Sequence, residues 1–271
     1  MKHIVCYSGG HSSALVAIEV ARRYGKQNVV LVNHDINHKS EDEDIKRFKK
    51  EVADYLGIEI HFENMPGWED MDQFDVAIHE KAFTINNYAS CTKKLKTEPF
   101  YKYLEREWSH RKDQCIIYYG FDANEQDRIY RKIYILSKDG YKTEYPLADW
   151  ESTIKSTTEI GIEPPLSYSN FKHANCKGCF KGGAQHWYVV YCLHPDIFDK
   201  AKQTEGALGY SIIKGKYLKD VECDFFRMKH LGIEPTEHKP SGQFWKEAKD
   251  KLRQPSLFNY EKFEKTCECG M

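Results

Sequence analysis

Two stretches of this chain carry residue types whose spacing could do chemistry. The first is Ser8-Gly9-Gly10-His11-Ser12-Ser13. Adjacent glycines let a backbone approach a phosphate closely, and the amides and hydroxyls that follow can donate to its oxygens. No Gly-Lys-Ser/Thr follows, so the run is not the P-loop of kinases and GTPases, and it does not fit the dinucleotide pattern either. A tight turn capped by serine is the plainer alternative. The second stretch is Cys176-Lys-Gly-Cys179, whose spacing lets two thiolates meet one metal. The same spacing also suits a redox pair or two buried small side chains. Cys91 is a third candidate thiolate, and Cys267 and Cys269 sit close to the end, where a frayed terminus is the simplest account. Arg128 stands one helical turn after Glu125, and a guanidinium can chelate phosphate oxygens. Lys93, Lys94, Lys96 and Lys102, with Arg128 and Arg131, form either a basic wall for phosphates or a solvated helix face.

Regular elements must position these groups. His3–Tyr7 is a short apolar run that hands over to the glycines, and the apolar spacing of Ser12–Tyr24 predicts a helix. Asn28–Asn33 reads as a buried strand, Glu41–Leu56 as an amphipathic helix with an acidic start, and Ile58–Phe62 and Cys115–Tyr119 as further strands. Strands alternating with helices imply parallel βαβ units and a doubly wound sheet. Residues 63–114 form a long insertion that carries Cys91 and a helical pattern reaching Trp108. Strand periodicity fades beyond Tyr145-Pro-Leu, which predicts a boundary near residue 150. Residues 1–150 then form a nucleotide-binding domain and 151–271 a helical region bearing the C-x-x-C. Trp187, Tyr188 and Tyr191 have helical spacing and read as core.

Composition narrows the classes. The chain has 271 residues, enough for one large α/β domain or a domain with an appendage. Forty basic against forty-one acidic residues leave a formal charge of −1, so nucleic-acid binding through bulk positive charge is excluded, while a local basic patch is not. No apolar run approaches the roughly 18 residues of a membrane span, and the start lacks a signal-peptide core. Nine cysteines without an export signal point to a reducing compartment, and the expected location is cytoplasmic.

The Ser8–Ser13 loop resembles the SGGxDS loop of the PP-loop ATP pyrophosphatases. The resemblance extends through His34-Asp35, Cys91-Thr-Lys-Lys-Leu-Lys96 with Pro99, Gly120…Glu125-Gln-Asp-Arg128, Tyr145-Pro-Leu…Trp150 and the C-x-x-C, an order similar to the phosphoadenosine-phosphosulfate (PAPS) reductase-like family. It implies an α/β fold, a doubly wound, mostly parallel sheet of the HUP/PP-loop type with a helical, cysteine-bearing C-terminal region. It also implies that ATP or a related adenylyl nucleotide binds with Mg²⁺, adenylates a substrate and releases pyrophosphate. Ser8, Gly9, Gly10 and Ser13 would cradle phosphates with His11 alongside. Asp35, Gly120 and Glu125 would belong to the nucleotide site, and Arg128 would bind phosphates or an anionic substrate. Ser12 stands where the family has aspartate, and the double glycine favours ATP. Similarity to tRNA 2-thiolation enzymes implies that Cys91, Cys176 and Cys179 hold a [4Fe–4S] cluster with one open iron. Zn²⁺, with His173 or His186 as a fourth ligand, is the alternative. The second substrate is left open, with a nucleic acid such as tRNA among the candidates, and a homodimer is compatible with the family. Two other readings stay open. One is a sulfonucleotide reductase whose Cys269 forms a thiosulfonate, although Ser90-Cys91 replaces that group's cysteine pair and no Leu-His follows Gly270. The other is a non-catalytic nucleotide-binding module with a structural metal.

Overall fold

Both faces of the first strand are apolar, which demands a layer of helices on each side of its sheet. The computed structural model describes residues 1–85, 88–174 and 176–253. The chain runs β1 (Lys2–Cys6), α1 (His11–Tyr24), β2 (Val29–Asn33), α2 (Glu43–Leu56), β3 (Ile60–Phe62) and α3 (Gln73–Glu80). A hairpin of β4 (Thr84–Ile85) and β5 (Tyr88–Ala89) follows, then α4 (Ser90–Thr92), a π-helical turn (Lys93–Thr97) and α5 (Glu98–Trp108). After these come β6 (Cys115–Tyr118), α6 (Gln126–Lys138), β7 (Lys142–Glu144) and α7 (Pro146–Asp149). Four more helices complete the order: α8 (Ala184–Leu193), α9 (Pro195–Leu208), α10 (Leu218–His230) and α11 (Ser241–Arg253).

The main sheet has the order β3-β2-β1-β6-β7 with every pairing parallel. The α/β class and parallel sheet are as expected. β7 was not expected: it is a three-residue edge strand of polar side chains, so it carries no apolar alternation, as suits an exposed sheet edge. The period-two pattern sorts the core. Val5, Val29, Leu31 and Tyr118 pack with α1 and α2 on one face. Ile4, Val32, Cys115 and Ile117 pack with α5 and α6 on the other.

Contacts divide the chain into two compact units: Met1–Val76, Thr84–Tyr168 and His173–Cys176 in the first, and Ala77–Phe83, Ser169–Lys172 and the chain from Lys177 on in the second. The division therefore falls later than residue 150. Glu19, buried on α1, explains this. Its carboxylate accepts from Thr153 N at 2.6 Å, Thr153 Oγ1 at 2.8 Å and Ile154 N at 3.3 Å. Ile154 and Ile162 then join the core beside α1.

The second unit is helical. Trp187 and Tyr188 are fully buried, and Tyr188 and Tyr191 make ring contacts with Phe225, so the aromatics on α8 are core as read. No helix among the described residues is long and apolar enough to cross a membrane.

Candidate functional site

The first unit contains a cleft of about 660 Å³, its open mouth included, at the carboxyl ends of β1, β2 and β6. Those strands straddle β1, where chain order along the sheet reverses, the place where open α/β sheets bind ligands. It is lined by Cys6 at the end of β1 with Tyr7 and Ser8 just beyond, by Asn33 at the end of β2 with His34 just beyond, and by Tyr119 directly after β6. One wall comes from Lys96, Thr97, Phe100 and Tyr101, whose spacing puts them on one face of the π-turn and α5. Lys132 of α6 closes the opposite side. The lining thus combines aromatic rings with two ammonium groups and a serine hydroxyl.

Burial sets the chemistry of these groups. The Cys6 thiol is pushed up to about 12 by burial, against the pull of its Tyr119 hydrogen bond and of Lys132. It stays protonated at neutral pH and is a poor nucleophile. Burial lowers Lys132, whose ammonium lies 5.2 Å from the Tyr119 ring centroid. His34 donates its Nδ1–H to the Glu63 carbonyl at 2.5 Å, leaving Nε2 as an acceptor. Desolvation pulls His34 down to about 4 from 6.5, so the imidazole is neutral at pH 7. The unfolded chain takes up this proton first as pH falls. The His34 contribution is therefore complete above about pH 6.5 and is lost progressively toward pH 4, roughly 3 kcal/mol in total. Urea unfolding between pH 4 and 7 should show that slope, and His34→Gln should flatten it. An unchanged slope would remove His34 as the titrating group.

The glycine loop joins β1 to α1 as expected. Gly9 has φ +84° and Gly10 is the N-cap of α1. Ser8 Oγ donates to Ser13 Oγ at 3.2 Å, and Ser13 Oγ donates to the Gly10 carbonyl at 2.8 Å. His11 is tied to the chain: its amide donates to Tyr168 Oη at 3.0 Å, and its Nε2 accepts from Thr157 N at 3.2 Å. Ser12 is exposed. Gly120 has a steric role, since a Cβ there would lie 3.0 Å from the Ser12 carbonyl carbon and from Ser13 N. No side chain fits where the end of β6 meets the start of α1.

Several expected residues lie outside the cleft lining. Asp35 is exposed and pairs with Lys46 at 3.0 Å, while its predecessor His34 enters the cleft. Arg128 pairs with Glu125, is exposed, and lies 4.1 Å over the Phe121 ring. The α6 cation in the cleft is Lys132, one turn further along the same face. Of the expected basic wall, Lys96 lines the cleft, whereas Lys93 and Lys94 approach Glu98 at 3.8 and 3.5 Å. Lys132, Phe100, Tyr101 and Tyr119 also line the cleft and are not singled out for the site by the sequence reading. Helical spacing from Arg128 and from Lys96 could have found Lys132, Phe100 and Tyr101.

Cys91 and Cys176 pack, half-buried, against one apolar group formed by Ile36, Val76 and Leu95 in the first unit. Cys179 belongs to the second unit, where its amide donates to His186 Nε2 at 3.1 Å. The other ring nitrogen of His186 faces Glu237 Oε1 at 2.6 Å, so both nitrogens have hydrogen-bond partners. Among the described residues, no group of three His, Cys, Asp or Glu side chains could hold a metal ion. Cys267 and Cys269 lie outside the described residues. Mg²⁺ makes a smaller demand, because it is commonly carried by substrate phosphates and water.

Comparison with protein-family models, with curated proteins and with solved structures finds no match for this chain.

Proposed function

We propose that the first unit binds ATP or a related adenylyl nucleotide and adenylates a second substrate, with release of pyrophosphate. The observation that carries this reading is the cleft at the reversal of strand order, where Ser8, Lys96 and Lys132 accompany Phe100, Tyr101 and Tyr119. Aromatic faces suit a base, and the ammonium groups suit phosphates. An acceptor oxygen attacking the α-phosphorus would form the new P–O bond as the bond to the β-phosphate oxygen breaks. Negative charge then builds on the leaving pyrophosphate. Lys96 and Lys132 would stabilise that charge, and Ser8 would donate to a phosphate oxygen. Mg²⁺ bound with the triphosphate would supply further charge neutralisation.

Sulfur chemistry at Cys91, Cys176 and Cys179 is the second half of the proposal, with a nucleic acid such as tRNA as the sulfur acceptor. Its support is the C-x-x-C spacing and the shared surroundings of Cys91 and Cys176.

The test is calorimetric titration with ATP and Mg²⁺, followed by assay of pyrophosphate release with added tRNA. Micromolar binding with release is the expected result. An absence of ATP binding would overturn the nucleotide reading. Iron analysis after anaerobic purification decides the cysteine half separately. Iron lost in both Cys91→Ala and Cys176→Ala supports it, and an ATP-binding protein without iron removes it.

A further inference from the structure

Behind the cleft wall lies a buried charge pair that the proposed chemistry has not used. Lys49 of α2 is 3 % exposed, and its ammonium donates to Glu41 Oε2 at 2.6 Å and to Asn33 Oδ1 at 3.1 Å. Glu41 and Asn33 both line the cleft. Asn33 Nδ2 donates in turn to the Tyr7 carbonyl, and Tyr7 Oη donates to the Lys49 carbonyl at 3.0 Å. The stem of Lys49 runs directly beneath Gly9, where a Cβ would come within 2.5 to 2.8 Å of Cγ, Cδ and Cε. The ammonium therefore sits between the glycine loop and the cleft.

A buried ion pair is a weak device for stability, because its desolvation cost rivals its Coulombic gain. An ammonium has three donors, and two have acceptors among the described residues. Burial lowers Lys49, the Glu41 carboxylate opposes that shift, and the charges of Lys96 and then Lys46 lower it further. Lys49, Lys96 and Lys132 thus bear on a cleft whose lining holds one carboxylate, that of Glu41. An anion entering there would relieve their repulsion.

We propose that Lys49 is a third cationic contact for the polyphosphate chain of a ligand in this cleft, and that Glu41 is its resident counter-ion. This inference rests on the nucleotide reading for the identity of the ligand. Its own content is that the ammonium shifts from Glu41 toward the phosphates, so the carboxylate competes with the ligand. The pair then favours triphosphates over neutral nucleosides.

Isothermal titration of the full chain with ATP and with inorganic tripolyphosphate, each with Mg²⁺, tests the assignment. Lys49→Met keeps the stem beneath Gly9 and should weaken both ligands at least about tenfold. That variant leaves Glu41 buried without its partner, so the double variant Lys49→Met/Glu41→Gln serves as the decisive one. It should keep a cooperative melting transition and bind as weakly as the single variant. Glu41→Gln alone should bind tripolyphosphate more tightly than the parent. A double variant that binds within roughly twofold of the parent would overturn the assignment and leave the pair as packing. Weaker binding in Glu41→Gln would overturn the counter-ion role. If the parent binds tripolyphosphate but not ATP, the nucleotide reading falls while the Lys49 effect is still measured. If it binds neither, both fall.

Discussion

Gly9→Ala is expected to destabilise the protein and to weaken ATP binding together, whereas Gly10→Ala should do neither. Gly9 has φ +84°, a conformation that costs a residue with a side chain about 1–3 kcal/mol. A Cβ at that position would also lie 2.5 Å from Lys49 Cγ, 2.7 Å from Cε and 2.8 Å from Cδ. Most of the stem is in the way, so a rotation of its tip gives no relief. Moving it draws the ammonium from Asn33 and Glu41, which leaves a buried carboxylate without its cation. Gly10 is different. Its φ is −84°, and the nearest atom to a new Cβ is Tyr168 Oη at 3.3 Å. Its alanine variant should cost under about 1 kcal/mol. Urea titration with calorimetry on both variants checks this. Equal stability and equal ATP affinity in the two would show that the loop does not depend on the left-handed turn.

Removing both cleft ammonium groups should produce the largest loss of affinity. The Lys96→Ala/Lys132→Ala variant should bind ATP on the order of 100-fold more weakly, since each charge-assisted hydrogen bond contributes roughly 1.5–3 kcal/mol. Adenosine should be affected far less, because Phe100, Tyr101 and Tyr119 remain to cover the base. Lys102→Ala is the control. Lys102 lies on α5 with its side chain exposed, and its removal should leave the affinity within about twofold. Calorimetry with ATP, AMP and adenosine separates the phosphate contribution from that of the base. A double variant that loses ATP and adenosine equally would mean the lysines shape the cleft rather than bind phosphates. A Lys102→Ala variant as weak as the double variant would point instead to bulk surface charge.

The sequence by itself determined the parallel sheet and the place of the glycine loop. Apolar runs such as His3–Tyr7 and Asn28–Asn33 can be buried on both faces only with helices on each side, and two glycines at the strand's end permit the tight turn into the next helix. It also marked Trp187, Tyr188 and Tyr191 as core, because Trp187 and Tyr191, four residues apart, share one helix face with Tyr188 beside it. What the tertiary structure decided was which polar groups face the cleft. His34 rather than Asp35, and Lys132 rather than Arg128, enter the cleft, since one residue along an extended chain or one turn along a helix selects a different neighbour. The Lys49–Glu41 pair was hidden inside an ordinary charged helix pattern. Its meaning arises from Gly9, forty residues earlier in the chain, whose missing side chain makes room for the lysine stem. The cysteines show the same limit. Spacing brings Cys176 near Cys179 in sequence, while folding sets Cys176 and Cys91 against one apolar group and ties the Cys179 amide to His186. Local spacing specifies distance along the chain, and only packing decides which side chains converge.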